Sequence, residues 1–197
     1  MNNNTLEIIM TRRSVRNYIS KQVENDKLQA ILEAGCSAPY GLTLVKRCIT
    51  VVQGKEWHSK INECIRKCHL SIPEKGATNQ YIKSLKIKAL EENAEFLYNA
   101  PIFIIVSTNP NNSSAMVDCA VAIENMLIAA HSLGLGTCWL NQLPGLTQKL
   151  HVRELMNSLE IPNDHLIYGS FVLGYPNLEA LKSISPRKDT TTINMIK

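Results

Sequence analysis

Three stretches of this 197-residue chain combine residue types that could grip a ligand. Arg12-Arg13-Ser14-Val15-Arg16 packs three guanidinium groups and a hydroxyl into five residues. Guanidinium forks match phosphate oxygens in pairs, so the run suits a phosphate clamp. A basic helix C-terminus also satisfies the helix dipole, and the run alone leaves both readings open. Gly134-Leu135-Gly136-Thr137-Cys138-Trp139-Leu140-Asn141-Gln142 sets one residue between two glycines, then places two amides at a strand's end. The glycines permit close backbone approach to a ligand, and equally a C-cap with a tight helix–strand turn. Pro186-Arg187-Lys188 is a third cation-bearing turn, or else a solvated tail.

Other chemistry is thinly represented. The six cysteines are dispersed without a C-x-x-C pair, which makes free thiols the expectation. Cys64-x3-Cys68-His69 would bring two thiols to one helix face, but zinc needs two more ligands, so half-buried thiols are favoured and no metal is expected. No Ser-His-Asp or paired-carboxylate pattern stands out, so no catalytic side chain is assigned.

The elements that must hold these stretches follow from periodicity. Leu6–Met10 reads as a short helix ending in the basic turn, and Asn25 or Asp26 caps a second helix with Leu28, Ile31 and Leu32 on one face. Pro39 and Gly41 break it, and Cys48–Val52 is β-branched and reads as a strand. Residues 55–99 are helical by composition, interrupted near 71–76. Pro101 opens the run PIFIIVS, a strand buried on both faces. Ser114 caps a long helix, 115–133, apolar nearly all the way round and suited to a core or a dimer interface, and Gly134 ends it. Residues 136–140 and 166–173 supply two further strands. Helices in runs, rather than strict βαβ alternation, favour an α+β sandwich over a Rossmann fold, and no G-x-G-x-x-G follows a strand.

Size and charge narrow the classes further. A chain of 22.0 kDa buries about 70% of its surface on folding, enough for one domain spanning 1–197. Only 19% of residues are charged, which leaves room for a subunit interface. Residues 46–88 hold ten Lys/Arg against three Glu, yet Trp57 and Tyr81 are the only aromatics there and no nucleic-acid motif accompanies them, so a solvated helical face is favoured. The middle of the chain offers no uncharged run approaching the ~20 residues of a membrane span. The N-terminal basic residues follow rather than precede a short apolar patch, which is not a secretory pattern, so a cytoplasmic location is expected.

Taken in order, these stretches resemble the FMN-dependent nitroreductase family over almost the whole chain. The matching residues are Arg12-Arg13-Ser14-Val15-Arg16, Ala38-Pro39, Asn99-Ala100-Pro101, Asp118-x5-Glu124-Asn125-Met126-Leu127, Gly134-Leu135-Gly136-Thr137-Cys138-Trp139, Leu173-Gly174-Tyr175-Pro176 and Pro186-Arg187-Lys188. The resemblance implies a homodimer with a central mixed sheet flanked by helices, a long buried helix at the dimer interface and a tail from about residue 176 packed on the partner. It implies bound FMN, with NAD(P)H as donor and a ping-pong cycle toward nitroaromatic, quinone or similar acceptors.

By the same resemblance Arg12, Arg13, Ser14 and Arg16, with Arg187 and Lys188, hold the phosphate and ribityl chain. Asn93 faces the ring's polar edge, and Leu140, Asn141 and Gln142 lie along the ring. Pro39, Tyr40, Gly41 and Thr43 reach in from the other subunit. One stretch departs from the family. Where members commonly carry A-P-S-x-x-N-x-Q-P-W, this chain has Thr43, Val45, Lys46 and Arg47 at the Asn, Gln, Pro and Trp positions. That departure supports a second expectation, a flavin-binding protein of this fold with little turnover.

Overall fold

The computed structural model describes residues 3–41, 46–73, 80–181 and 191–196. In chain order its elements are α1 (Asn4–Thr11), α2 (Asn25–Cys36), β1 (Cys48–Gln53), α3 (Lys55–Leu70), α4 (Gln80–Ala89), β2 (Ile102–Thr108), α5 (Ala115–Ser132), β3 (Gly136–Leu140), α6 (Leu150–Ser158), β4 (Leu166–Gly174) and α7 (Leu178–Leu181). The strands form one sheet in the order β1-β2-β4-β3. The fold is the expected α+β sandwich, but the sheet is antiparallel at every strand pairing among the described residues, not mixed. The helical excursion between β1 and β2 returns to the sheet end it left, pairing Gln53 with Ile102, and this fixes the antiparallel sense. Among the described residues, parallel pairing survives only in an isolated bridge from Ser14 to Thr137.

β2 is buried along its whole length because each face meets a helical layer. Phe103 and Ile105 join Ile61, Ile65 and Val152 of α3 and α6 on one side. Ile102, Ile104 and Val106 join Ile31 of α2 and Ile123, Met126 and Leu127 of α5 on the other. This period-two split is what an apolar run requires when both faces are covered. α5 is long and apolar enough to pass a membrane-span test by length and composition. Eight of its residues, from Ala115 to Ala130, are buried against the sheet and α2, so it serves as a core helix.

Local chemistry moved several boundaries. Asn3 caps α1 through its side chain, accepting from the Thr5 and Leu6 amides. The cap position of α2 is Glu24 rather than Asn25 or Asp26, and the Glu24 carboxylate is turned toward Tyr175, accepting its hydroxyl at 2.6 Å. Ser114 stands at the expected cap of α5 but makes no capping hydrogen bond. The helical stretch expected to reach residue 99 stops at Ala89, and further on Tyr98 and Asn99 adopt left-handed backbones at φ 57° and 56°. Gly134 ends the α5 region at φ 75°, as a left-handed glycine should.

His69 is buried beside Phe96, and neither ring nitrogen has a hydrogen-bond partner among the described residues. Burial lowers its pKa below the ordinary value. The unfolded chain therefore binds a proton at a pH where the folded chain does not. This contribution is complete above about pH 6.5 and fades as pH falls below it. His131 and His165 shift in the same direction, also chiefly through burial. In urea titrations from pH 7.5 to 5.5, stability is expected to fall. His69→Phe keeps a ring and removes the nitrogens, so it should flatten part of that slope; an unchanged slope contradicts the assignment.

Candidate functional site

The basic run leaves α1 as extended chain and docks on the free side of β3, the edge strand. Val15 donates its amide to the Thr137 carbonyl at 2.8 Å, and Ser14 bridges Thr137. Gly136 makes that contact possible. A Cβ there would lie 2.8–3.0 Å from the Val15 side chain, closer than a β-branched residue can yield. Beyond the bridge, Tyr18 folds back so that its hydroxyl donates to the Val15 carbonyl at 2.7 Å, and Ile19 donates its amide to Tyr175. The basic residues are thus stitched to the sheet by backbone at both ends.

Extended backbone sends the cations to two sides. Arg12 and Arg13 line a cavity of about 320 Å³ with His131, Gly134–Thr137, Pro176, Leu178 and Leu181. Arg12 Nε also pairs with Glu124 of α5 at 3.5 Å. His131 contacts Thr11 Oγ1 at 3.0 Å, and burial, with the Arg12 charge, lowers its pKa. The second side carries Ser14 and Arg16, whose groups bear on the Cys138 thiol of β3. Burial pushes the Cys138 thiol up, and Arg16, the Ser14 hydroxyl and Arg12 pull it partly back.

The residues after β3 separate. Leu140 is buried, and its carbonyl accepts the Ser170 hydroxyl at 2.9 Å. Asn141 is exposed, its Oδ1 3.5 Å from Trp139 Nε1. Gln142 is buried, and its Oε1 finds no hydrogen-bond partner among the described residues. An unpaired buried carbonyl is costly, and a polar ligand at this point would satisfy it. Asn93 is exposed in the turn between α4 and β2.

Pro39, Tyr40 and Gly41 lie on the other side of the sheet, beside the start of α5. Gly41 donates its amide to Asp118 Oδ1 at 3.2 Å. Arg47, one of the residues that depart from the family pattern, donates to the carbonyls of Ala38 at 2.9 Å and Asp118 at 2.8 Å. Its guanidinium also stands 5.5 Å from the centre of the exposed Tyr40 ring. Thr43, Arg187 and Lys188 lie outside the described residues, as does most of the tail beyond Leu181. Residues 176–181 pack on their own chain, with Pro176 bridged to Tyr18. The described His, Cys, Asp and Glu residues form no group of three able to hold a metal.

Sequence reasoning missed His131 and the Arg47–Asp118 fastening. Asp118 sat in the family motif, and Arg47 was noted only as a departure. His131 carried no signal in spacing or composition, because tertiary packing brings it in.

The Nitroreductase family profile matches residues 9–175. A solved nitroreductase with bound FMN from Bacteroides fragilis NCTC 9343 superposes with a TM-score of 0.85 at 35% identity, covering 100% of both chains. A relative from Archaeoglobus fulgidus, named for NADH dehydrogenase and NAD(P)H nitroreductase, is 28% identical over 179 residues, covering 88% of this chain and 86% of its own. An NAD(P)H-dependent FMN reductase of Bacillus subtilis is 27% identical over 194 residues, covering 98% of this chain and 73% of its own. The chain belongs to the nitroreductase family.

Gln142 offers a direct check of the geometry. Gln142→Met removes the unpaired carbonyl at similar size and is expected to stabilise the ligand-free protein by about 1 kcal/mol in urea denaturation. A loss of stability would show that Oε1 already has a partner.

Proposed function

We propose that this chain is an FMN-dependent oxidoreductase that takes hydride from NAD(P)H and passes it, in a ping-pong cycle, to nitroaromatic, quinone or similar acceptors. The observation that carries the reading is the docking of Arg12–Arg16 on β3, the strand whose far end leads to a buried Gln142 carbonyl without a partner among the described residues. Cations suited to a phosphate dock along β3, and a polar atom suited to a ring edge follows the end of the same strand, which supports FMN as the ligand. The relatives named for FMN reduction and the FMN-bound structure support the cofactor.

Bound there, FMN supplies the hydride chemistry. The protein's part is placement. Arg12, with Arg187 and Lys188, would neutralise the phosphate, and Arg13, Ser14 and Arg16 would hold the ribityl chain. Asn93 and Gln142 would meet polar edges of the ring, with Leu140 and Asn141 beside them. Pro39, Tyr40, Gly41 and Thr43 would complete the acceptor cavity from a partner subunit. No side-chain nucleophile is required.

The homodimer and the cytoplasm belong to the same proposal. Met116 and Val117 on α5, with Leu6, Ile9 and Met10 on the adjoining α1, expose apolar side chains on neighbouring helices. Exposed apolar side chains on these two helices support a subunit contact there. Arg47, at the position of the family's Trp, donates to the carbonyls of Ala38 and Asp118, which supports a held loop beside the site and favours turnover over flavin binding alone.

Visible spectroscopy of the purified protein tests the core of this proposal. A flavin spectrum that bleaches anaerobically on adding NADH or NADPH is expected; failure to take up added FMN overturns it. Arg12→Ala should weaken FMN binding roughly 10- to 150-fold, the worth of a hydrogen bond to a charged group, and unchanged titrations would remove Arg12 from the phosphate site. Light scattering should give twice the 22.0 kDa chain mass, and a monomer would refute the dimer.

A further inference from the structure

The last turn of α5 brings His131 to the cavity of about 320 Å³ that Arg12 and Arg13 also line. The part of the wall supplied by α7 is apolar, Leu178 and Leu181. The backbone at the helix end is already spent. The Gly134 amide donates to the His131 carbonyl at 3.0 Å, and the Leu135 amide to the Ala130 carbonyl at 2.9 Å. Among the described residues, positive charge toward this cavity comes from three side chains, those of Arg12, Arg13 and His131.

The hydrogen bonds of Thr11 fix how the histidine ring is protonated. Thr11 Oγ1 lies 2.7 Å from the Glu7 carbonyl oxygen and 3.0 Å from His131 Nε2. A hydroxyl has one proton and a carbonyl can only accept, so that proton goes to Glu7. Nε2 must then carry the hydrogen and donate to Thr11. In the neutral ring the lone pair falls on Nδ1, which has no hydrogen-bond partner among the described residues. Protonation turns that acceptor into a donor and leaves the Thr11 anchor as it was.

The charges around the ring set when that happens. Burial, and after it the Arg12 charge, lower the His131 pKa. The C-terminal end of a helix pulls the other way, since it favours an added positive charge. Glu124, earlier on α5, is engaged with Arg12 at 3.5 Å. The β3 residues of the lining, Gly136 and Thr137, carry no titratable side chain, and Glu179 of α7 is not among the lining residues. An anion between Arg12 and His131 would replace repulsion by attraction.

We propose that His131 is a phosphate-binding residue of the flavin site: anchored on Thr11 through Nε2–H, its ring takes a proton from solvent at Nδ1 as the FMN phosphate enters and donates it to a phosphate oxygen. The inference rests on the reading that Arg12 faces that phosphate, and it adds a residue whose charge arrives with the ligand. Because the proton favours the bound state, FMN affinity rises as pH falls. Arginine, always charged, cannot give that dependence.

Flavin fluorescence titrations with FMN and with riboflavin at pH 8.0 and 6.5 test this, since riboflavin has the ring and ribityl chain without the phosphate. Both pH values lie above the second pKa of a phosphate ester, about 6. His131→Gln keeps an amide donor for Thr11 and removes the titrating nitrogen. It should lower FMN affinity roughly tenfold at pH 6.5, the low end for a hydrogen bond to a charged group, and flatten most of the rise from pH 8.0. Riboflavin affinity should stay within twofold. His131→Lys supplies a permanent cation, and should hold FMN affinity at pH 8.0 at or above the wild-type value with little further gain at pH 6.5. The same pH dependence in wild type and His131→Gln overturns the inference, and so does an equal loss toward FMN and riboflavin. Neither result touches the phosphate reading if Arg12→Ala still weakens FMN binding. Unchanged FMN titrations in Arg12→Ala, or no FMN uptake by the wild type, remove that reading and this inference with it.

Discussion

The contact on which the site depends is the close approach of Val15 to Gly136. β3 is an edge strand, and an edge strand presents unpaired amides and carbonyls that the fold must cover. This chain covers them with the basic run, through the Ser14–Thr137 bridge and the Val15 amide on the Thr137 carbonyl. One arrangement thus answers two needs. It closes the sheet, and it places three guanidinium groups beside the strand whose far end carries Gln142. Any side chain at 136 would push the run away and carry the cations with it.

The same seam explains why the helical layers look as they do. Holding the run against β3 requires α1 to cross the end of α5, so Arg12 lands beside Glu124 and Thr11 beside His131. α5 must then be apolar toward the sheet and α2 while presenting polar groups to α1. Its all-round apolar look in the sequence hides this division of labour. Asp118 in its first turn is spent on Gly41 and Asn112, and its backbone carbonyl on Arg47, so both ends of α5 hold segments of the proposed site.

Much of this was legible in the sequence wherever the signal is local. The Cys48, Ile102, Gly136 and Leu166 strands announce themselves by β-branched runs, and Gly134 by its place after an apolar helix. The sense of the sheet was not legible, because pairing direction depends on where a long helical excursion returns, and composition is blind to that. The end of α4 was missed for a related reason. Residues 90–97 have helical composition, but Asn62 and Glu95 hold their final amides in another conformation, and a contact between residues 33 or 34 positions apart leaves no periodic trace. The family motif supplied Arg12–Arg16 and the residues after β3, yet could not show that Arg13 and Arg16 line different sides of one extended segment.

The departure at 43–47 shows how a motif can change while its mechanical task is met by other means. At the Asn, Gln, Pro and Trp positions of the motif this chain has Thr43, Val45, Lys46 and Arg47. Arg47 fixes the loop after α2 by donating to backbone carbonyls of Ala38 and Asp118, contacts that need no particular side chain at the accepting residues. Backbone acceptors are insensitive to sequence drift, so this fastening tolerates change in the side chains of the accepting residues. It also leaves a guanidinium, rather than an uncharged indole, behind the exposed Tyr40 ring, so the loop keeps its position while the electrostatic character of its surface is altered.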